Sequence, residues 1–234
     1  MEKALEVEKL GIRFGRTRVL EGLSFSAPSG QTLAVIGPNG AGKTVLFRAL
    51  VGSLPHDGTV KWAAGTRLGY LPQKLDLDRD LPMTGADFLR AKAAVARAGP
   101  ADVARALARV GLDEPLTLQP IGDLSGGQFQ RLLLAFVLIG DPNVLLLDEP
   151  AAGVDEPSQE RLYDLIRRLQ EDSGVTVLFI SHDLSVVTHY ATHVLCLNRG
   201  RASFGPPRVA LTPESLTALY GMPLRFHVHD DPRC

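Results

Sequence analysis

The octapeptide Gly37-Pro-Asn-Gly-Ala-Gly-Lys43-Thr44 fits the pattern G-x-x-x-x-G-K-[ST], whose chemistry is the holding of a polyphosphate. Glycines let successive backbone N–H groups turn toward phosphate oxygens, the lysine reaches the β and γ phosphates, and the threonine hydroxyl reaches a magnesium ion. Gly37, Pro38, Asn39, Gly40, Ala41, Gly42, Lys43, Thr44 and the adjoining Val45 are therefore candidate nucleotide-binding residues, with Thr44 also a candidate magnesium ligand. Asp148 and Glu149 end the apolar run that starts at Val144. Charges directly after a buried parallel strand stand at the C-terminal edge of a sheet, where open α/β sheets bind ligands. Leu124-Ser-Gly-Gly-Gln128 offers a serine hydroxyl and exposed glycine amides at a helix start. That is either an anion site or a capping box, since Ser125 and Gln128 have the capping spacing. Taken singly, four other residues read either way. Phe14 is a base-stacking ring or plain core, Gln73 a loop amide, Asp155 a helix N-cap, and His182 a satisfied polar residue.

The elements that must position these residues are legible around them. Gln31 to Ile36 reads as a buried strand and Thr44 to Val51 as a helix stopped by Gly52, which is the order a phosphate loop requires. Leu5 to Phe14 and Val19 to Phe25 alternate as antiparallel strands about a turn, and short strands are expected at Thr59 to Trp62 and Arg67 to Leu71. From Lys74 to Asp123 the strand signals vanish. Thr84 and Asp87 predict a capping box, and Val103, Leu107 and Val110 a second helix ended by Gly111. Arg90, Lys92, Arg97, Arg105 and Arg109 give these helices a face that is either solvated or a docking surface. Val144 to Leu147, Val175 to Ile180, Val194 to Leu197 and Ala202 to Phe204 complete the sheet. Leu162, Leu165, Ile166 and Leu169 form one apolar helix stripe.

With 234 residues and 45% hydrophobic composition, the chain can bury a substantial core without staples. Its formal net charge of -1 gives no electrostatic case for binding nucleic acid. Two cysteines, Cys196 and Cys234, form no disulfide framework and fit a reducing compartment. The longest unbroken apolar run, Leu132 to Ile139, is far short of the roughly 20 residues a membrane span needs. A membrane role must therefore come through partners, at the cytoplasmic face.

In order and approximate spacing, Gly37 to Thr44, Gln73, Leu124-Ser-Gly-Gly-Gln128, Asp148-Glu149 and His182 resemble the ATP-binding-cassette ATPases. Leu71-Pro-Gln-Lys-Leu-Asp-Leu-Asp78, Gly153-Val-Asp155, Leu162-Tyr-Asp-Leu-Ile166 and Ser181-His-Asp-Leu184 resemble in particular the ATPase subunits of bacterial zinc and manganese importers. The resemblance implies a P-loop α/β cassette with a mostly parallel sheet, an antiparallel β edge and an inserted helical subdomain. Residues 1–73 and 124–222 would form a RecA-like core, 74–123 the insert that docks a membrane subunit, and 223–234 a polar tail.

It further implies that Asp148, Thr44 and Gln73 arrange magnesium, Glu149 polarises the attacking water, His182 contacts the γ-phosphate and Phe14 stacks on adenine. Ser125, Gly126, Gly127 and Gln128 of one copy, with Asp155, would meet the ATP held by a second copy. The implied cofactors are ATP and magnesium. The implied partners are a homodimer mate, integral membrane permease subunits and, through them, an extracytoplasmic metal-binding protein. The chain departs from the family at Phe14, where tyrosine is commoner, at Ala151-Ala152, where zinc importers carry threonine-glutamine, and at Phe136, where arginine is frequent. A soluble cassette ATPase of DNA repair or the ribosome is a competing reading, but the chain has neither a long coiled coil nor a second cassette. In the tail, His227, His229, Asp230 and Asp231 are ligand types suited to zinc or simply a frayed polar terminus, and no metal ligands are assigned there.

Overall fold

The computed structural model describes residues 2–73, 82–198 and 201–221, so the tail with His227 and His229 lies outside the described residues. Strands β1 (Lys3–Phe14) and β2 (Thr17–Pro28) form the expected hairpin. Leu5 stands opposite Ala27, Val7 opposite Phe25 and Leu10 opposite Leu23, which gathers apolar side chains onto one buried face. Next come β3 (Thr32–Ile36), helix α1 (Lys43–Leu50), β4 (Asp57–Trp62) and β5 (Leu68–Leu71). The two short strands anticipated between residues 57 and 71 belong to different sheets. β4 pairs antiparallel with β1, placing Val7 opposite Val60, whereas β5 begins the parallel sheet beside β6 (Val144–Asp148).

Among the described residues between β5 and β6 stand α2 (Gly85–Ala96), α3 (Pro100–Val110), the one-turn α4 (Glu114–Thr117) and α5 (Gly126–Leu138). The Thr84 capping box is present: Thr84 Oγ1 accepts from the Asp87 amide at 3.1 Å, and Asp87 Oδ2 accepts from the Thr84 amide at 3.1 Å. α3 starts with Pro100 and ends at Gly111 in the left-handed conformation (φ 61°). The last part of the fold is α6 (Glu156–Ser173), β7 (Thr176–Ile180), α7 (Leu184–Tyr190), β8 (His193–Asn198), β9 (Arg201–Gly205), α8 (Pro207–Ala210) and α9 (Pro213–Tyr220).

The larger sheet runs β5-β6-β7-β3-β8-β9, parallel from β5 to β8, with β9 antiparallel at the edge. Every residue of β3, β6 and β7 is buried, because both faces of this sheet are covered. Strand alternation divides the core in two. Leu33, Val35, Leu146, Leu178 and Ile180 pack with α1 and the antiparallel sheet. Ala34, Ile36, Leu145, Leu147, Val177 and Phe179 pack against the helical layer, which includes α2, α3, α5 and α6.

Phe136, where the family often carries arginine, stacks on Phe88 of α2 with ring centroids 4.3 Å apart and planes at 12°. Lys92 lies over the same ring, 5.3 Å from its centroid. An aromatic pair of this kind is worth about 0.5–1.5 kcal/mol beyond its burial, so the substitution exchanges a charge for a joint between α2 and α5. Part of the arginine-rich face is paired with carboxylates. Arg90 pairs with Asp87 and Arg105 with Asp102, each one turn away, while Arg109 reaches Asp141 at 3.7 Å and Ser173 at 2.9 Å. Arg67 holds the same Asp141 at 3.1 Å.

β5 packs so tightly on α5 that a Cβ at Gly69 would stand 2.6 Å from Val137 Cγ1 and 3.0 Å from its carbonyl oxygen. Gly69→Ala is therefore expected to lower stability by about 1–3 kcal/mol, the usual penalty of overpacking. Urea unfolding checks it, and an unchanged midpoint would show that β5 and α5 separate freely.

Candidate active site

β3, buried along its whole length, delivers the chain to residues 37–42, and α1 begins at Lys43. Gly42 caps α1 at φ 95°, and a Cβ there would stand 2.9 Å from Val19 Cγ1, so both backbone and space require glycine. No side chain caps this helix start and no acidic residue occupies its first turn, which leaves the positive end of the helix dipole open to an anion. Lys43, 8% exposed, donates from Nζ to the carbonyls of Gly37 at 2.8 Å and Pro38 at 3.2 Å. Burial pushes its pKa down, while Glu149 and Asp148 oppose the shift. The hollow over the loop, about 500 Å³, is lined by Val19, residues 39–45, Gln73 and Glu149.

Asp148, the last residue of β6, is 1% exposed, and no regular hydrogen bond reaches either of its carboxylate oxygens. Burial pushes its pKa up; the nearby Thr44 hydroxyl favours the anion, Glu149 disfavours it and Lys43 favours it. Buried carboxylate oxygens normally have partners. Two orphaned oxygens beside a hydroxyl at the mouth of a phosphate loop match the oxygen donors that a hard divalent cation prefers.

Glu149 follows in a left-handed conformation (φ 50°), strain of about 1–3 kcal/mol for a non-glycine residue. Its amide donates to the Ile180 carbonyl at 3.2 Å, tying it to the end of β7, and its Oε2 accepts from Gln73 Nε2 at 2.9 Å. Glu149 thereby forms a wall shared by two spaces. On its other side a hollow of about 180 Å³ is lined by Gln159, Tyr163, Ser181, His182 and Asp183 with residues 151–154.

Ser125 to Gln128 lie elsewhere. Ser125 Oγ accepts from the Gln128 amide at 3.3 Å, and Gln128 Oε1 accepts from the Ser125 amide at 2.9 Å, so the capping box forms and starts α5. These residues, with Asp155, Ser158 and Arg161, line a third hollow of about 270 Å³ that shares no wall with the phosphate-loop space. Asp155 occupies the N-cap position of α6, and the Ser158 hydroxyl is the main cause holding its carboxyl below the usual range.

One chain thus brings together Lys43, Thr44, Gln73, Asp148 and Glu149, sets His182 behind Glu149, and keeps the Ser125 to Gln128 segment and Asp155 apart. One expectation changes. Phe14 is not core: it is 51% exposed at the end of β1 and does not line the phosphate-loop hollow. The Gln73 side chain meets Glu149, and its backbone stands near Asp148. Val19, Gln159 and Tyr163 line these spaces without having stood out in the sequence. A valine in a strand and a tyrosine in an apolar helix stripe carry no local sign of such a place.

A family model described as ABC transporter matches residues 20–152. The chain belongs to the ABC transporter family. It is 44% identical over 213 residues to the zinc import ATP-binding protein ZnuC of Cereibacter sphaeroides, covering 91% of this chain and 86% of that one. To ZnuC of Yersinia enterocolitica it is 42% identical over 222 residues, 94% of this chain and 86% of the other. A solved structure described as an inward-facing transporter of the metal-chelate ABC type superposes with a TM-score of 0.86 at 30% identity, covering 95% and 90% of the two chains. As an ABC ATPase the chain binds ATP and hydrolyses it. ATPase subunits of ABC importers act with membrane permease subunits and typically dimerise. Among the described residues no helix of this ABC ATPase is long and apolar enough to cross a membrane.

Proposed function

We propose that this ABC ATPase powers a zinc importer. The observation that carries the cargo is the 44% identity, over 91% of the chain, to a zinc import ATP-binding protein. Nothing in the nucleotide site reads the cargo, so the assignment lies with the complex: a homodimer of this chain at the cytoplasmic face, permease subunits, and an extracytoplasmic metal-binding protein. In this reading residues 1–73 and 124–222 form the nucleotide-binding core, 74–123 meet the permease, and 223–234 form a tail.

Phosphoryl transfer asks a protein mainly for positioning and charge stabilisation. Lys43 and the amides of residues 40–42 hold the β and γ phosphates at the start of α1. Asp148 and Thr44, with Gln73, would hold magnesium, which would supply neutralisation of phosphate charge; the orphaned Asp148 oxygens support this placement. Glu149 accepts the proton of the attacking water, and Gln73, already bonded to it, aims its carboxylate. His182, behind Glu149, contacts the γ-phosphate, and Phe14 approaches adenine from the hairpin tip. Ser125 to Gln128 and Asp155 serve the ATP of a second copy. Their separation from the phosphate loop of their own chain favours that division. ATP then binds the closed dimer better than the open one, and its hydrolysis releases the pair, which is how binding energy can move a permease.

Uptake by the transporter reconstituted with its permease and binding protein tests the proposal. Zinc is expected to accumulate with ATP well above the background of a Glu149→Gln complex. Uptake of another solute while zinc and manganese stay at that background would overturn the cargo and leave the ATPase intact.

A further inference from the structure

α6 carries two short rows of side chains toward two different spaces. Asp155, Ser158, Arg161 and Leu162 face the hollow of the Ser125 segment, whereas Gln159 and Tyr163, one turn apart, face the hollow of His182. Gln159 Nε2 donates to Asp183 Oδ2 at 3.0 Å. Its orientation is fixed chemically, because only the amide nitrogen can donate to a carboxylate. The other Asp183 oxygen accepts from the Ser185 amide at 2.8 Å and the Ser185 hydroxyl at 2.6 Å, capping α7. On the near side of His182, the Ser181 hydroxyl accepts from the Asp183 amide at 3.1 Å and lies near the buried Tyr163 hydroxyl. Burial alone would raise the Asp183 pKa, but the bonds from Ser185, Val186 and Gln159 hold it below the usual range. The Gln159 bond is thus charge-assisted, the stronger kind.

We propose that Gln159, supported by Tyr163, is a positioning residue that fixes the His182 turn to α6, so that the helix whose N-cap is Asp155 also sets where His182 stands. This rests on the reading of His182 as a γ-phosphate contact. Of the two neighbours of His182, Asp183 is bonded to α6 through Gln159 and Ser181 lies near Tyr163 of the same helix, while the His182 side chain borders the space shared with Glu149. A shift of α6, as when Asp155 meets a second copy, would then be felt at His182 without passing through the phosphate loop.

Steady-state ATP hydrolysis by the full chain tests this with two variants at one position. Gln159→Met keeps the shape and removes the donor; Gln159→Glu sets a carboxylate against Asp183. Each is expected to lower kcat about tenfold, equivalent to about 1.4 kcal/mol, with KM for ATP within twofold and an unchanged melting temperature. Adding Asp183→Asn to Gln159→Glu restores a donor and acceptor with reversed roles, and kcat should recover to within threefold of the parent. In a His182→Ala background, Gln159→Met should cause no further loss.

Unchanged kcat in Gln159→Met beside an inactive His182→Ala would overturn this inference alone. So would an equal further loss in the His182→Ala background, or a reversed pair that falls by the product of its two single changes. Full hydrolysis by His182→Ala would overturn the reading of His182 and the inference with it.

Discussion

Glu149→Gln is expected to bind ATP normally and to lose about two to four orders of magnitude in turnover, the usual contribution of a positioned general base. Glu149 Oε2 accepts from Gln73 at 2.9 Å, and an amide oxygen in its place accepts the same bond, so the wall between the two hollows keeps its shape. What disappears is the group that can take a proton from water. The variant should accumulate as an ATP-bound dimer, visible by sedimentation with magnesium and ATP, and single-turnover hydrolysis gives the rate. Turnover within tenfold of the parent would remove Glu149 from the chemistry.

Lys43→Ala is expected to weaken ATP binding by about 10- to 100-fold, the scale of a charged hydrogen bond of about 1.5–3 kcal/mol. The loss has two origins. The ammonium that would meet phosphate is gone, and so is the bond that closes the loop over the carbonyls of Gly37 and Pro38. The site must then both reform and bind. Thermal unfolding reads this directly, since a ligand that binds the native state raises the melting temperature with its concentration. An ATP-dependent rise in the variant equal to the parent's would undo the assignment of the phosphate site.

The phosphate loop and the Ser125 to Gln128 segment were legible because their chemistry demands particular residue types at fixed short spacings. Both capping boxes, at Thr84 and Ser125, form as those spacings require. Residues whose place depends on distant pairing were not legible. β4 and β5 look alike locally, yet one joins β1 and the other β6. Phe14 and Val19 both look like strand residues. Register shifts in the hairpin between Val7 and Leu10, between Leu10 and Ile12, and between Ile12 and Arg13 upset simple alternation, and Val19 is the one that lines the phosphate-loop hollow. Gln159 and Asp183 are 24 residues apart and meet only through the packing of α6 beside β7. The pairs on the arginine face are local as well, since Asp87 and Asp102 stand three residues from Arg90 and Arg105.

That partly paired face sets how the helical layer can be recognised. Where Arg90 and Arg105 are held beside carboxylates the field is dipolar and dies away faster than the field of net charge, and physiological salt screens what is left within about 8 Å. Lys92, over the Phe136 ring, stands outside these pairs and keeps a positive charge on the face. An approaching acidic surface therefore meets the charges outside these pairs rather than the whole row, and contact selects also by outline and by apolar fit, for which Val95 at 84% and Leu118 at 67% exposure stand clear of the helices.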